Sequence, residues 1–448
     1  MIVQAGFALR ELGFVVHETQ GNENNSIGVA QTILSMPKNA TALVLELGMS
    51  AMGEISTLAS IAQPTVRVIT GVAEAHLAGC GDSVESVLAA KLEILESSRP
   101  SDAWIINSGD ERLHMILPKL QALHSNIWTF SGNATTRGEF GKASLSVEDV
   151  TSRVKAGLLN CSDHSTYGTN NHHSTERFSC GHVEVLQSTT SWSATDQEPC
   201  SLSTEFTLQV TGGCDVGKPA FSQARLCIPF IGEHLSINAA AAVAVASAVV
   251  NASGNITRRR CIPNNQHALS EMLSGSWLKD WQPIRGRLQI LPIQCGFIID
   301  DSYNANPASV MHALKVLSGI RAPDGETLTK VVLLGDMNEL GAQSAQLHER
   351  VLVYLGMQSS MHVGLLGPRM RNAWVTLHGE PDEFSHLSHW KSGISHALIQ
   401  PDPALAALLS AEVAEWMGTR SKTTRVITLI KGSRHMQMER MLINLKLA

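Results

Sequence analysis

The chain has 448 residues, which is enough for two or three domains that each have a hydrophobic core. It carries 40 acidic against 34 basic residues and no dense basic run, so its charge argues against nucleic acid or an anionic membrane surface as a partner. The eight cysteines include no C-x-x-C pair, and no basic segment followed by an apolar core opens the chain as a secretory signal would. The longest apolar stretch, 237–250, is too short and too alanine-rich to span a bilayer, so it predicts a buried helix.

Three polar residues follow successive βα units near the start of the chain. Residues 1–19 predict the end of a helix and then a strand. The run ALVLEL predicts a buried parallel strand that ends at Glu46, and the run VRVIT predicts a second strand that leads to His76. Residues 83–98 predict a helix, with Lys91 near its apolar stripe. A carboxylate, an imidazole and an amine placed in this way suit metal-assisted phosphate chemistry. Singly, each also has a structural interpretation as a cap, a loop contact or a snorkelling stem.

The α/β alternation continues, with one interruption. AWIIN (103–107) and NIWTF (126–130) predict strands, and so do TEFTLQV and ARLCIPF before the apolar helix. Between them, about 155–200, the sequence is dense in Ser, Thr, Asn and His, which predicts a disordered insertion. The cysteines and histidines of this stretch fit no tight zinc pattern and do not predict a metal site: Cys161, His164, His172, His173, Cys180 and His182.

A second α/β region begins near Pro283. Apolar runs at 296–301, 330–335, 361–366 and 425–430 alternate with helical segments, and a proline stands at an early position of the first helix. We therefore expect two domains, residues 1–282 and 283–448.

Several segments resemble the Mur ligases, the ATP-dependent amide-forming ligases of peptidoglycan precursor synthesis. The similar segments are GNENNSIGVAQTIL, ELGMSAMGEIS, VITGVAEAH, AAKLEI, IGEHLSINAAAAVAVA, DDSYNANPAS and KGSRHMQME. The last two resemble the branch that adds D-alanyl-D-alanine and speak against folylpolyglutamate synthase, another amide ligase of the superfamily. The resemblance implies an α/β fold: a Mur ligase central domain with a mostly parallel sheet, then a Rossmann-like C-terminal domain, with ATP in the cleft between them.

The resemblance also implies roles for individual residues. Glu46 and His76 would hold Mg²⁺, and Lys91 matches a lysine that is carbamylated in many Mur ligases. These three form the expected catalytic group. The expected nucleotide contacts are Asn24, Asn25, His234, Asn238, Arg287, Asp301 and Asn304. The expected peptide-substrate contacts are Asn306, Lys431, Ser433 and Arg434. Leu235 stands where the family has an asparagine, and a leucine cannot make that amide's hydrogen bonds.

The implied reaction joins D-alanyl-D-alanine to UDP-MurNAc-tripeptide through an acyl phosphate, with ATP and Mg²⁺, in a monomeric cytoplasmic or plastid-stromal enzyme. One departure from the family stands out. No G-x-x-x-x-G-K-[S/T] phosphate loop occurs: Gly141-Lys142 is followed by alanine and Gly217-Lys218 by proline. We interpret the chain as an N-terminally truncated version without the uridine nucleotide domain, and expect little turnover. The alternative is a catalytically impaired Mur-ligase-like binding protein.

Overall fold

A computed structural model describes most of the chain. The described residues are 1–132, 181–195, 198–211, 221–228, 233–253, 278, 281, 284–294, 296–321, 327–358, 360–379, 397–400, 402–419 and 424–445. The predicted helix around 271–281 lies outside them, apart from Leu278 and Trp281, which are both buried.

The first third of the chain alternates short strands and helices, as its apolar periodicity predicts. Its helices are α1 (Ile2–Glu11), α2 (Ser26–Leu34), α3 (Glu54–Ala62), α4 (Leu77–Cys80), α5 (Val84–Leu92) and α6 (Glu111–Leu123). Its strands are β1 (Val16–Glu18), β2 (Ala42–Val44), β3 (Val66–Ile69), β4 (Ala103–Asn107) and β5 (Ile127–Ser131). Strands β1 and β2 form a parallel two-stranded sheet. Strand β2 is half-buried rather than buried, because its residues also line a cavity.

A six-stranded sheet has the order β3-β4-β5-β6-β7-β8 and includes β6 (Gly181–Thr195), β7 (Glu198–Thr211) and β8 (Phe221–Ile228). Its first four strands are parallel, and the last three form antiparallel pairs. The prediction of disorder was therefore wrong for residues 181–195 and 198–200. The alternating residues Val183 and Val185 are fully buried, so this strand does have an apolar face, and its long ladder with β7 satisfies the backbone. Residues 155–180 lie outside the described residues.

One long helix covers this sheet. Helix α7 (Glu233–Ser253) confirms the buried helix predicted from the alanine-rich run. Alanines 239–242 have no exposed surface, and they share one core with α1 and with Ile105, Trp128 and Phe130 of the sheet. Small side chains let the helix lie close to the large aromatic residues of the strands.

The second sheet has the order β13-β12-β11-β14-β10-β9, parallel except for the edge pair β10/β9. Its strands are β9 (Gln289–Ile293), β10 (Gly296–Asp301), β11 (Thr327–Gly335), β12 (Met361–Leu366), β13 (Leu398–Gln400) and β14 (Thr424–Lys431). Its helices are α8 (Pro307–Gly319), α9 (Ser344–Gly356), α10 (Pro368–His378), α11 (Ala406–Gly418) and α12 (Leu442–Leu445). This arrangement confirms the predicted α/β class with two parallel-rich sheets.

Buried residues join the two sheets into one body. A single apolar cluster contains Leu77 and Leu88 from the first region together with Met337 and Leu340 from the second. The predicted domain boundary after residue 282 falls between α7 and β9, and it stays a prediction. Among the helices that the structure describes, none is both long and apolar enough to cross a membrane.

Candidate functional site

A cavity of about 1840 Å³ lies between the two sheets. Residues that follow β2, β3 and β4 line it from one side, and residues at the ends of β10 and β14 line it from the other. Parallel strands present their carboxyl ends at one edge of a sheet, where open α/β sheets bind ligands. The cavity includes all three residues of the predicted catalytic group, Glu46, His76 and Lys91.

Glu46 lies two residues beyond β2 and is held by its neighbours. The amide of Asn24 donates to Glu46 Oε1 over 3.0 Å, and the backbone N–H of Glu46 donates to Thr19 Oγ1, also over 3.0 Å. Gly48 allows this approach, because a Cβ there would lie 2.7 Å from the Asn24 side chain. Glu46 caps no described helix. Its carboxylate is oriented by one donor and keeps further lone pairs for a ligand.

His76 immediately precedes α4 and has a left-handed backbone, with φ of 59°. Its Nδ1 atom lies 2.8 Å from Oε2 of Glu339, which belongs to the loop after β11. The Nε2 atom has no hydrogen-bond partner among the residues that the structure describes. One ring nitrogen therefore faces a carboxylate across the two regions, and the other is available.

Lys91 lies near the end of α5 and lines the cavity without a hydrogen bond or ion pair to any described residue. Burial lowers the pKa of its amine, while the negative fields of Asp110, Cys80 and Glu46 act in the opposite direction. The ordinary alternative, a lysine that extends into open solvent, does not describe this residue. A desolvated amine has a larger neutral, nucleophilic fraction than an exposed one.

The two asparagines of the Asn-Asn segment differ in role. Asn24 orients Glu46, whereas Asn25 caps α2 by accepting from the N–H of Gly28 over 2.9 Å. The carboxylate of Asp110 is also engaged, since it accepts from the N–H groups of Val72, Arg112 and Leu113. An aspartate directly before an apolar helix is an N-cap signal that could have been noted in the sequence.

The start of α7 contributes His234, Leu235 and Asn238 to the cavity. His234 Nδ1 lies 2.8 Å from Nε2 of His312 on α8, and the two rings meet edge to face. Burial lowers the pKa of both imidazoles, that of His312 to about 4. The pair joins the two walls of the cavity as neutral rings, and no local sequence pattern pointed to His312.

Asp301 and Arg287 line the opposite wall. Burial raises the pKa of Asp301, while Lys431 opposes that shift by donating from Nζ to Asp301 Oδ2 over 2.6 Å. The backbone N–H of Leu288 donates to the other oxygen over 3.2 Å. The guanidinium of Arg287 lies 4.3 Å from the ring centroid of Tyr303, which fixes an exposed cation beside the cavity.

The remaining predicted substrate and nucleotide residues mostly have internal partners. Asn304 accepts from its neighbour Ala305, and Asn306 caps α8 in a capping box with Ser309. Asn304 and Asn306 still line the cavity.

The residues after β14 are engaged as well. The hydroxyl of Ser433 accepts from the N–H of Asn338 over 2.7 Å, and Arg434 pairs with Glu439 on the surface at 3.0 Å. Neither Ser433 nor Arg434 belongs to the cavity lining. Their predicted contacts with a peptide substrate stay predictions.

Comparisons with known proteins agree with this architecture. Residues 2–166 match the Mur ligase middle domain, and residues 286–411 match the Mur ligase glutamate ligase domain. A UDP-N-acetylmuramoyl-tripeptide–D-alanyl-D-alanine ligase of Bacillus subtilis is 27% identical over 84% of this chain and 62% of its own length. The ligase of the same name from Escherichia coli is 27% identical over 94% of this chain and 69% of its own length.

Solved structures support the same fold. A crystal structure of MurF from Acinetobacter baumannii superposes with a TM-score of 0.63 at 22% identity, over 100% of this chain and 75% of that one. A MurF ligase of Thermotoga maritima in complex with ADP superposes with a TM-score of 0.61 at 20% identity, over 100% of this chain and 77% of that one. The chain spans about three fifths of the length of its relatives from Bacillus subtilis and Rickettsia prowazekii. On the two domain matches, the ligases that it resembles over most of its length and the shared fold, the chain belongs to the Mur ligase family.

Proposed function

We propose that this chain forms the ATP and Mg²⁺ cleft of an amide ligase that joins D-alanyl-D-alanine to UDP-MurNAc-tripeptide through an acyl phosphate. The observation that carries the proposal is one cavity whose lining includes Glu46, His76 and Lys91 from the first region and Arg287 and Asp301 from the second. The substrates follow the names of the relatives.

Glu46 and His76 are donor types that suit a divalent cation shared with phosphate, since the described residues include no cluster of three or more His, Cys, Asp or Glu side chains that could hold a metal without such a ligand. Mg²⁺ is commonly held by one or two protein carboxylates together with water and phosphate oxygens. Glu46 offers an oriented carboxylate, and His76 offers Nε2. When bound there, Mg²⁺ supplies charge neutralisation where the γ-phosphate and the substrate carboxylate meet. Asn24 keeps the Glu46 carboxylate in place for that role.

Lys91 suits carbamylation, which the family resemblance implies. The ammonium first loses a proton; the neutral amine then adds to the carbon of carbon dioxide, one C=O π bond breaks to leave a negative oxygen, and the nitrogen loses a second proton, so that a cation becomes a carbamate anion. Because burial lowers the pKa of Lys91, the neutral amine is present at a lower pH than for an exposed lysine. The resulting negative group would lie in the same cavity as Glu46 and His76.

The opposite wall suits the nucleotide. The Arg287 guanidinium, which lies over the ring of Tyr303, would face phosphate oxygens, for which its planar donors are well matched. Asp301 has a lone pair left on each oxygen after its contacts with Lys431 and Leu288, so it would accept from a ribose hydroxyl. The His234–His312 pair and Asn238 would lie beside the base.

Calorimetry with the non-hydrolysable ATP analogue AMP-PNP and Mg²⁺ tests this assignment. We expect the wild-type chain to bind, and Arg287→Ala to weaken binding about 10-fold or more, the range for a lost charged hydrogen bond. Arg285→Ala is the matched control, since Arg285 is an exposed arginine two residues away that does not line the cavity. Absence of binding to the wild-type chain, or equal effects of the two variants, would reject the nucleotide cleft.

The alternative is a Mur-ligase-like binding protein without turnover. The 448 residues contain no G-x-x-x-x-G-K-[S/T] motif, and phosphate release separates this alternative from the ligase. The chain should be given ATP, Mg²⁺, UDP-MurNAc-tripeptide and D-alanyl-D-alanine, and the phosphate released should be measured. Release above background that depends on both substrates supports the ligase. AMP-PNP binding without phosphate release supports the alternative.

A further inference from the structure

We propose that Glu339 is a positioning residue for His76. Its carboxylate, which belongs to the second sheet, orients the imidazole, so that the metal group of the first sheet is complete only when the two regions are docked. This inference rests on the proposed metal role of His76.

The contact crosses between the two regions at short range. Oε2 of Glu339 lies 2.8 Å from Nδ1 of His76, although these residues are far apart in sequence. The two atoms form an ion-pair contact, and Nδ1 has no other polar partner among the described residues.

Both residues adopt an unusual backbone. The φ angle is 59° at His76 and 61° at Glu339, in the left-handed region that residues other than glycine rarely occupy. Such conformations persist only where the surroundings determine them, and they cluster at functional sites. Here two of them face each other through their side chains.

The loop that carries Glu339 is held by hydrogen bonds and by buried neighbouring residues. The N–H of Met337 donates to Nε2 of His348 over 3.0 Å, and the N–H of Asn338 donates to Oγ of Ser433 over 2.7 Å. Met337 and Leu340 on either side are buried. Glu339 itself keeps 59% of its side chain exposed, so a change of this side chain leaves the buried platform intact.

Other contacts hold the two regions together beside this pair. Arg350 forms a bidentate ion pair with Glu74, and the side-chain amide of Gln343 donates to the backbone oxygen of Asp82 over 3.1 Å. Docking therefore does not depend on Glu339, and its substitution tests the orientation of His76 alone.

The chemistry of imidazole explains why such a carboxylate matters. A neutral histidine carries one N–H and one lone pair, and the hydrogen bond at one nitrogen decides which nitrogen can bind a metal. An acceptor beside Nδ1 retains the proton there and leaves the lone pair on Nε2, which has no partner among the described residues. Loss of such an orienting partner typically weakens metal binding 10–100-fold.

Mn²⁺ binding to the whole chain, followed by electron paramagnetic resonance, is the test. We expect Glu339→Ala to weaken Mn²⁺ binding about 10-fold or more, and Glu339→Gln to restore part of it, since its amide oxygen also accepts. Glu412→Ala removes an exposed carboxylate outside the cavity and should change the dissociation constant less than about twofold. His76→Ala should abolish the site.

The tautomer of His76 gives a second measurement that does not depend on metal. Its imidazole ¹⁵N resonances, assigned by their absence in His76→Ala, should show the proton on Nδ1 in the wild-type chain and a mixture of tautomers in Glu339→Ala. Wild-type Mn²⁺ affinity and an unchanged tautomer in Glu339→Ala would overturn the role of Glu339, while loss of Mn²⁺ in His76→Ala would leave the metal site standing. If His76→Ala binds Mn²⁺ like the wild type, both proposals fail.

Discussion

Two lysines line the same cavity, and they are held in opposite ways. Lys431, at the end of β14, keeps 3% of its side chain exposed and donates to Asp301 Oδ2 over 2.6 Å and to the backbone oxygen of Asn304 over 3.0 Å. Lys91, near the end of α5, has no hydrogen bond or ion pair among the described residues, and burial lowers its pKa. The amine of Lys431 is therefore paired within the protein, whereas the amine of Lys91 has no polar partner among the described residues.

The difference extends to the two walls of the cavity. On the second-sheet wall, Asn306 caps a helix and Lys431 forms an ion pair with Asp301, so these side chains already have partners within the protein. On the first-sheet wall, Lys91 and His76 Nε2 remain available. We infer that the second wall is a preformed surface for a substrate, whereas the first wall provides the groups that react.

The largest effect on stability is expected from removing the ion pair between Lys431 and Asp301. Lys431→Met leaves the buried carboxylate of Asp301 without its counter-charge, and removal of one partner of a buried pair destabilises a protein by about 3–5 kcal/mol. Chemical denaturation of the two chains should show this loss. The double variant Lys431→Met/Asp301→Asn, which removes both charges, should recover part of it. Equal stability of wild type and Lys431→Met would show that the ion pair with Asp301 does not stabilise the folded chain.

An intermediate effect on stability is expected at the His234–His312 pair, which joins the two walls of the cavity. The pKa of His312 is about 4 in the folded chain and near 6.5 when unfolded, so between these pH values the unfolded chain binds more protons. The free energy of unfolding should therefore fall as the pH drops from about 6.5 to 4, by roughly 3 kcal/mol for this residue.

Denaturation at a series of pH values tests that slope. His312→Gln should flatten the pH dependence in this window, and His435→Gln, at an exposed histidine after β14, should leave it unchanged. An equal slope in wild type and His312→Gln would show that the histidine pair does not stay neutral in the folded chain.

The smallest effect on stability is expected at the unpaired lysine. Lys91→Met removes a desolvated amine and breaks no pair, so the free energy of unfolding should change by less than about 1 kcal/mol. Incubation with ¹³C-bicarbonate should give a carbamate resonance in wild type that is absent in Lys91→Met. A fall in stability as large as that of Lys431→Met would mean that Lys91 has a structural partner after all.

Local patterns in the sequence were sufficient for most elements. Short apolar runs marked most strands, and the alanine-rich run marked α7, because each depends on residues close in sequence. The strand at 181–195 was missed because its Ser and Thr content hid the alternation of Val183 and Val185, which becomes evident only against β5 and β7. The caps at Asn25 and Asn306 were readable, since Asn306 is followed by proline and, three residues on, by serine.

Contacts between distant residues were not predictable in this way. The pairs His76–Glu339, His234–His312 and Asp301–Lys431 join residues that no local period connects. Family resemblance marked one member of the first two pairs and both members of the third, but it did not indicate that Asp301 and Lys431 bind each other. Such contacts depend on how the two sheets pack, and so only the folded chain shows them.

The order of strands in the second sheet also has a consequence for biosynthesis. Strand β14 lies between β10 and β11, although both of these are translated more than 85 residues before it. Until β14 is translated, the central position of the sheet is empty, and the facing edges of β10 and β11 are too far apart to pair with each other. Such edges favour association with other chains, and a strand supplied late slows closure. A ribosome-bound nascent chain that stops before β14 should therefore depend on chaperones, whereas one extended past Lys431 should not.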